Sequence, residues 1–580
     1  MKKEIKGNWI IKFDNSINRK DILPFLIEFQ NHIKNNYKFI FMEINKEFED
    51  KTQLIESKNS LHIKIKSLKQ FDVNKNKDVK EINLPDLKTS IKSVILTVPY
   101  LSNDSRWKEI DVPSSTIFLG SDLINNDFNV KSIKLRLPHI NSEKLNLKSD
   151  IVSFSLFEDL IDKFIDFLNE FEIGDSILAA GGPFITLNPM EAFQYLEKIN
   201  IFYRGEGEKK FSRLLKILNK GNLSDIFNLK GIALNFKNLI IFSSYDITNY
   251  TFDFSDFKFN LNFLKNDFKT NDLEMNFSRG CKRGCAFCSK VQGKYFRKLP
   301  TTKVEELLKE FKAIRDSKEI FTININDDDI LQDKEYAKEI LETIEKYDFK
   351  LWGIQTSIES FFKDLKETDN EIIDIVNKRN LYAMKKPLLW LGTDGFLKER
   401  KKVLSKFIPD KNNLIKLVEE FEKKEILNYH YWISSDYNTN WNIFIKELLF
   451  IIDLKENFSN FYLLAHSPFI IPYPSTPVFK IIQKKVMNNR IRYKKIYKNN
   501  EKIILKLVER LETEYDNLNL LLLNTKDENN KGFFDYIKEY DFLSALKLCY
   551  TYLKKDILLY NDNELKETER LLYNKISELI

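Results

Sequence analysis

Three of the four cysteines fall within eight residues: Cys281, Cys285 and Cys288 in SRGCKRGCAFCSK (278–290). Thiolates at spacings of three and then two intervening residues can converge on one metal group from a single loop. Gly280 and Gly284 let the backbone wrap around it. A 4Fe–4S cube takes four cysteine ligands in most proteins. Here the only other cysteine is Cys549, far off in an apolar stretch (Leu546, Leu548, Tyr550), which reads as a small buried hydrophobe. Three local ligands leave one iron open to an exchangeable ligand. The alternative is a zinc knuckle, but no His or Cys follows at zinc spacing.

The loop must be positioned by the elements around it. Residues 268–480 alternate strand and helix patterns. Strands are expected at Glu274–Ser278, Ile320–Ile325, Leu351–Gln355, Leu388–Leu391, Tyr429–Ser435 and Phe461–Ala465. The helix after the cysteines opens with Thr302 and Glu305 in capping-box spacing. Its apolar stripe is Val304, Leu307, Leu308 and Phe311. Six strand-plus-helix units predict a partial (β/α)6 barrel, with chemistry at the carboxyl ends of the strands. Residues 91–250 alternate in the same way. Strands are expected at Val94–Val98, Ile133–Leu137, Ile151–Ser155, Ile177–Ala180 and Ile201–Tyr203, with helices at 116–126, 158–170 and 190–198. That pattern predicts an α/β, doubly wound, parallel Rossmann-like domain. Residues 1–90 read as a small α/β domain with a helix at Asp21–Tyr37, and 481–580 as a helical C-terminal domain.

With these elements in place, CKRGCAFC resembles the CxxxCxΦC signature of the radical S-adenosylmethionine superfamily, Phe287 being its aromatic. The resemblance implies that the open iron binds S-adenosylmethionine, which is cleaved reductively to methionine and a 5′-deoxyadenosyl radical. Other segments match the family in order. NDDDI (326–330) ends the second strand, where Asp327 and Asp328 are implied to hold the methionine amino group. GIQTS (353–357), with Gln355, ends the third. LWLGTDGF (389–396) ends the fourth, where Asp394 is implied to contact the ribose. Ser434 lies at the end of the fifth, which lacks the glycine-rich continuation of relatives. PYPSTP (472–477) resembles the closing segment of many relatives.

Residues 93–240 resemble the cobalamin-binding domain that precedes the barrel in one class of this superfamily. The resemblance rests on VSFSLF (152–157), GGPFITLNP (181–189) and YRGEGEKKFSRLL (203–215). It implies that Ser155, Gly181, Gly182, Thr186, Gly205, Glu206 and Gly207 line a cobalamin site. The helix at 208–217 would offer its N-terminus to an anion. No Asp-x-His-x-x-Gly motif occurs, so a cobalt-ligating histidine from that motif is excluded.

Composition limits the alternatives. The chain has 580 residues, room for three or four domains. A net charge of +7 over that length is weak evidence for a polyanionic partner. No nucleic-acid partner is expected, and RIRYKKIYK (490–498) reads as a solvated helix face. There is no h-region after the charged start and no long apolar run, so a cytoplasmic protein without a membrane span is expected. With one cysteine to spare, auxiliary clusters are excluded. The expectation is a radical S-adenosylmethionine enzyme with a 4Fe–4S cluster, methylating an unactivated carbon with cobalamin. The alternatives are another radical reaction beside a cobalamin-free Rossmann domain, and an RNA- or peptide-binding module with a structural cluster. The expected partners are a small-molecule or peptide substrate and an electron donor such as flavodoxin or ferredoxin.

Overall fold

The computed structural model describes residues 8–13, 39–45, 55–56, 62–71, 89–101, 113–137, 147–170, 174–221, 223–236, 239–243, 252–264, 272–289, 293–314, 322–433, 436, 441–464, 473 and 476–480. The helix expected at 21–37, the C-terminal helical domain, Ser434 and Cys549 lie outside the described residues. The chain divides into two compact units. The first comprises 1–102, 111–269 and 309–317; the second comprises 103–110, 270–308 and 318–580.

The first unit is built on an eleven-stranded sheet. Its strands are β1 (Asn8–Phe13), β2 (Phe39–Asn45), β3 (Ile55–Glu56), β4 (His62–Phe71), β5 (Ser93–Leu101), β6 (Asn129–Leu137), β7 (Ile151–Ser155), β8 (Ile177–Gly181), β9 (Ile201–Tyr203), β10 (Ile232–Phe236) and β11 (Leu239–Ser243). The order is β3-β4-β2-β1-β11-β10-β9-β8-β7-β5-β6. The run β6-β5-β7-β8-β9 is parallel throughout. Strand order reverses at β5, between β6 and β7, and crevices of doubly wound sheets open at such switch points. β5 is apolar without alternation because it is covered on both faces: Val94, Ile95, Leu96 and Val98 are all buried. The helix Ile161–Glu170 turns Ile161, Phe164, Phe167 and Leu168 inward at helical spacing. The strands before residue 90 extend this same sheet: β1 pairs antiparallel with β11.

The second unit contains β12 (Asp272–Met275), β13 (Ser278–Arg279), β14 (Arg297–Lys298), β15 (Thr322–Ile325), β16 (Lys350–Ser357), β17 (Phe362–Lys363), β18 (Glu367–Thr368), β19 (Leu388–Asp394), β20 (Leu427–Trp432) and β21 (Phe461–Leu464). Six of them form one sheet in chain order, β12-β15-β16-β19-β20-β21, with every neighbour parallel. That is the order a partial (β/α)6 barrel requires. The two faces differ. Ile323, Ile325, Ile354, Leu389, Leu391 and His430 are fully buried, whereas Asn324, Gln355, Trp390 and Tyr431 keep part of their surface. The helix Thr301–Ala313 buries the expected stripe of Val304, Leu307, Leu308 and Phe311 completely.

Candidate functional sites

The cysteine loop leaves β12 and is closed at its base by the β13–β14 ladder, Ser278 pairing with Lys298 and Arg279 with Arg297. Gly280 takes φ +86°, and a Cβ there would run into the Tyr295 carbonyl oxygen, so only glycine closes this turn. Cys281 and Cys285 are half-buried and Cys288 is exposed; no disulfide joins them. The Cys288 N–H donates to the Cys285 carbonyl at 3.3 Å, a tight turn at the end of the motif. Burial pushes the Cys281 and Cys285 thiols up; Arg283 at Cys281, and Lys406 and Arg283 at Cys285, pull toward the thiolate, against Asp329 at the first and Asp394 and Glu359 at the second. Among the described residues no group of three His, Cys, Asp or Glu side chains is arranged as a metal site.

The loop's backbone is held by the segment after β15, where three consecutive acids do three different things. Asp327 is fully buried. It accepts from Phe277 N–H (3.0 Å), Ser278 N–H (2.5 Å) and the Ser278 hydroxyl. Burial, the largest influence, pushes its carboxyl up to about 7 against the pull of those donors. Asp327 therefore braces the entry to the loop and is not placed to hold a ligand, contrary to the expectation for it. Asp329 is also fully buried. It accepts from Thr356 Oγ1 (2.5 Å) and Ser360 Oγ, and receives Arg283 through Nε (2.7 Å) and Nη2 (2.6 Å). Arg283 also pairs with Glu359 and donates to Ser360 Oγ at 2.6 Å. Breaking a buried pair of this kind costs about 3–5 kcal/mol. Asp328 alone of the three keeps exposed surface; burial still pushes its carboxyl pKa up, against the Gly280 backbone bond that it accepts. Gln332 completes the clamp, accepting from Lys282 N–H (3.2 Å) and donating to the Gly280 carbonyl (3.3 Å).

The far side of the loop is tied to the later strands. Ala286 N–H donates to Leu404 O at 2.7 Å, and Val478 N–H to Ala286 O at 3.3 Å. Phe287 packs on the cluster of Ala286, Leu404, Ile408, Ile433 and Val478. The segment resembling the closing motif thus reaches the cysteine loop through Val478. Asp394, at φ +61° after a bulge in β19, forms an ion pair with buried Lys406. Burial opposes the Lys406 charge, but Asp394 and the Cys285 sulfur overcome it and push its pKa up. Asp394 therefore already has a partner, which its sequence motif did not disclose. Gln355 stays half-buried, paired in register with Trp390, which itself packs against the buried cluster of Leu388, Leu427, Tyr429 and Tyr462. His430 is fully buried between Thr393 Oγ1 (2.7 Å) and Asn428 Oδ1 (2.9 Å), and burial pushes it down to about 3. It is a neutral structural histidine.

In the first unit the three turns expected to line a cobalamin site are bonded mainly to each other. Thr186 accepts from Gly205 N–H (3.0 Å) and donates to Gly182 O (2.9 Å). Arg204 Nε donates to Thr186 O at 2.7 Å. Glu206 accepts from Phe252 N–H at 2.8 Å. Gly182 has φ +89°, and a Cβ there would lie 2.7 Å from Leu156 N and 2.9 Å from Ser155 Oγ. Its glycine is required by its own neighbour turn. Gly181 and Gly207 both open onto the Tyr203 ring. A Cβ at Gly181 would overlap that ring, and one at Gly207 would come within 3.1 Å of it. The Tyr203 hydroxyl bonds to Ser153 Oγ at 3.0 Å, and its ring stacks on Phe211 at 4.8 Å. The space that these two glycines create is filled by protein. The helix Lys210–Lys220 likewise has an anion at its start, since Asp122 accepts from Lys209 N–H at 2.9 Å.

No protein-family model matches the chain, and no curated protein matches it in sequence. Solved structures do. The cobalamin-dependent S-adenosylmethionine radical enzyme OxsB, with aqua-cobalamin and S-adenosylmethionine bound, superposes with a TM-score of 0.60 at 16% identity. The match covers 84% of this chain and 75% of that one. OxsB with aqua-cobalamin alone gives 0.59 at 16% identity, covering 90% and 83%. The chain therefore has the fold of these enzymes, a likeness of architecture at an identity that carries no residue roles. No helix among the described residues is long and apolar enough to cross a membrane.

Proposed function

We propose that the chain is a radical S-adenosylmethionine enzyme whose cluster is held by Cys281, Cys285 and Cys288. One observation carries the reading. A three-cysteine loop follows the first strand of an all-parallel six-stranded sheet, and the ends of the later strands hold its backbone in place. The donor set fits a 4Fe–4S cluster with one iron open: three thiols on one loop and no fourth cysteine nearby in sequence. Such a cluster would supply the electron for reductive cleavage of S-adenosylmethionine, giving a 5′-deoxyadenosyl radical.

The chain's own residues take the remaining tasks. Asp328, the exposed acid of the three, receives the ammonium of the methionine portion. Asp394, steadied by Lys406, accepts from ribose hydroxyls. Phe287 and its apolar cluster shield the side of the loop nearest the later strands. Gln355 and Trp390, which keep part of their surface, meet the substrate, which we take to be a small molecule or peptide. A flavodoxin or ferredoxin would deliver the electron.

The finer reading, corrinoid-dependent methylation of an unactivated carbon, is supported by the likeness to OxsB. In the first unit the Tyr203 ring lies against Gly181 and Gly207, two of the glycines named for that cofactor. The test is anaerobic incubation with S-adenosylmethionine and a strong reductant. Release of 5′-deoxyadenosine and methionine is expected, and its absence from cluster-loaded protein would refute the proposal.

A further inference from the structure

We infer that Tyr203 is an internal occupant of the groove where the nucleotide tail of a corrinoid would lie, so that the first unit discriminates against tailed corrinoids. This rests on the reading of that unit as a corrinoid-type fold, and carries it to the class of ligand accepted. The floor of the groove is made of small residues. Ser153 on β7 pairs in register with Ala179 on β8, and Gly181 follows two residues later on the same face. Ala179 and Ser153 are buried, although neither has a side chain large enough to fill the space above it. The filler is the Tyr203 ring, which reaches from β9 past Gly181 and Gly207 to Ser153 Oγ and stacks on Phe211.

An aromatic ring lying over glycine, with one polar atom bonded to a serine hydroxyl, presents what the aromatic base of a corrinoid tail would present. Tyr203 and such a base therefore compete for one volume. Interiors are close-packed, so both cannot be accommodated. A corrinoid lacking the base makes no demand on this groove.

The experiment titrates the full-length protein spectrophotometrically with aquacobalamin and with aquacobinamide, which has the same ring but no nucleotide. Wild type should bind cobinamide about tenfold or more tighter than cobalamin. Tyr203→Ala should bind cobalamin about tenfold or more tighter than wild type does, with cobinamide little changed. Tyr203→Phe, which keeps the ring, should behave as wild type. Cobalamin bound by wild type as tightly as cobinamide would overturn the inference, as would corrinoid binding by neither wild type nor Tyr203→Ala. The wild-type comparison decides the matter even if the alanine variant does not fold. Release of 5′-deoxyadenosine by the same wild-type preparation reports on the cluster separately, so failure here and failure of the proposed activity are distinguishable.

Discussion

Both units place glycines at or beyond the ends of strands, and the two sets serve opposite ends. In the first unit, Gly181 and Gly207 make room for Tyr203, and Gly182 makes room for the Ser155–Leu156 turn. In the second, Gly280 closes the loop on the Tyr295 carbonyl, but Gly284, between Cys281 and Cys285, has nothing within 4 Å of where its Cβ would be. Glycine after a strand is thus no evidence of a ligand until its neighbours are known. The cysteine loop keeps open space beside its chemistry, whereas the glycine turns of the first unit spend theirs on their own packing.

The largest effect should come from emptying the filled groove. Tyr203→Ala should cost about 3–5 kcal/mol of stability in urea unfolding. Gly181→Ala should cost about 1–3 kcal/mol by overpacking. If the ring and the glycine share one space, the double variant should be less destabilised than the sum of the two. Strict additivity would break the comparison.

Asp394→Ala comes next. It leaves Lys406 buried without its carboxylate, and a loss of about 3 kcal/mol is expected, discounted for the partial exposure of Asp394. Weaker S-adenosylmethionine binding by this variant would then report on a damaged support as well as a lost contact. Asp394→Asn combined with Lys406→Met should recover stability without recovering binding, to be read by calorimetry of both.

Asp327 gives a pH signature. Its folded pKa of about 7 stands above the value of 3.8 for an ordinary aspartate. Stability from this group is therefore full below about pH 4, where both states are protonated. It falls as pH rises toward about 7, because the unfolded chain ionises first. Asp327→Asn should flatten that slope, seen as a smaller change in urea midpoint between pH 5 and pH 8. An unchanged slope would show that Asp327 is not the buried brace described above.

The smallest effect should be at Gly284. Gly284→Ala should change stability by no more than about 0.5 kcal/mol, since the position is exposed and its neighbourhood open. A large loss would mean that this glycine, too, is spent on packing.

Much of the architecture was legible because hydrophobic periodicity is local. β7 and β9 fall where short buried strands between helices are expected, and the stripe of Val304, Leu307, Leu308 and Phe311 is buried as expected. β10 and β11 were not foreseen, and their pairing is what joins β1 to the larger sheet. The sites were less legible because their contacts are long-range. Nothing near Gly181 announces that a tyrosine 22 positions later will lie over it. In NDDDI, whether an acid turns in or out depends on where β15 ends, so the sequence does not mark Asp327 and Asp329 as braces and Asp328 as the exposed acid. Lys406 and Arg283 carry no periodic signal in a chain with 92 basic residues, yet both flank Cys285.

The central claim is that the three clustered cysteines hold the redox group. Iron and acid-labile sulfide should be counted after anaerobic reconstitution of wild type, of Cys549→Ala, and of the variant with Cys281, Cys285 and Cys288 all replaced by Ala. About four irons per chain are expected in the first two and none above background in the third. Iron retained by the triple variant, or lost on replacing Cys549 alone, would contradict the account.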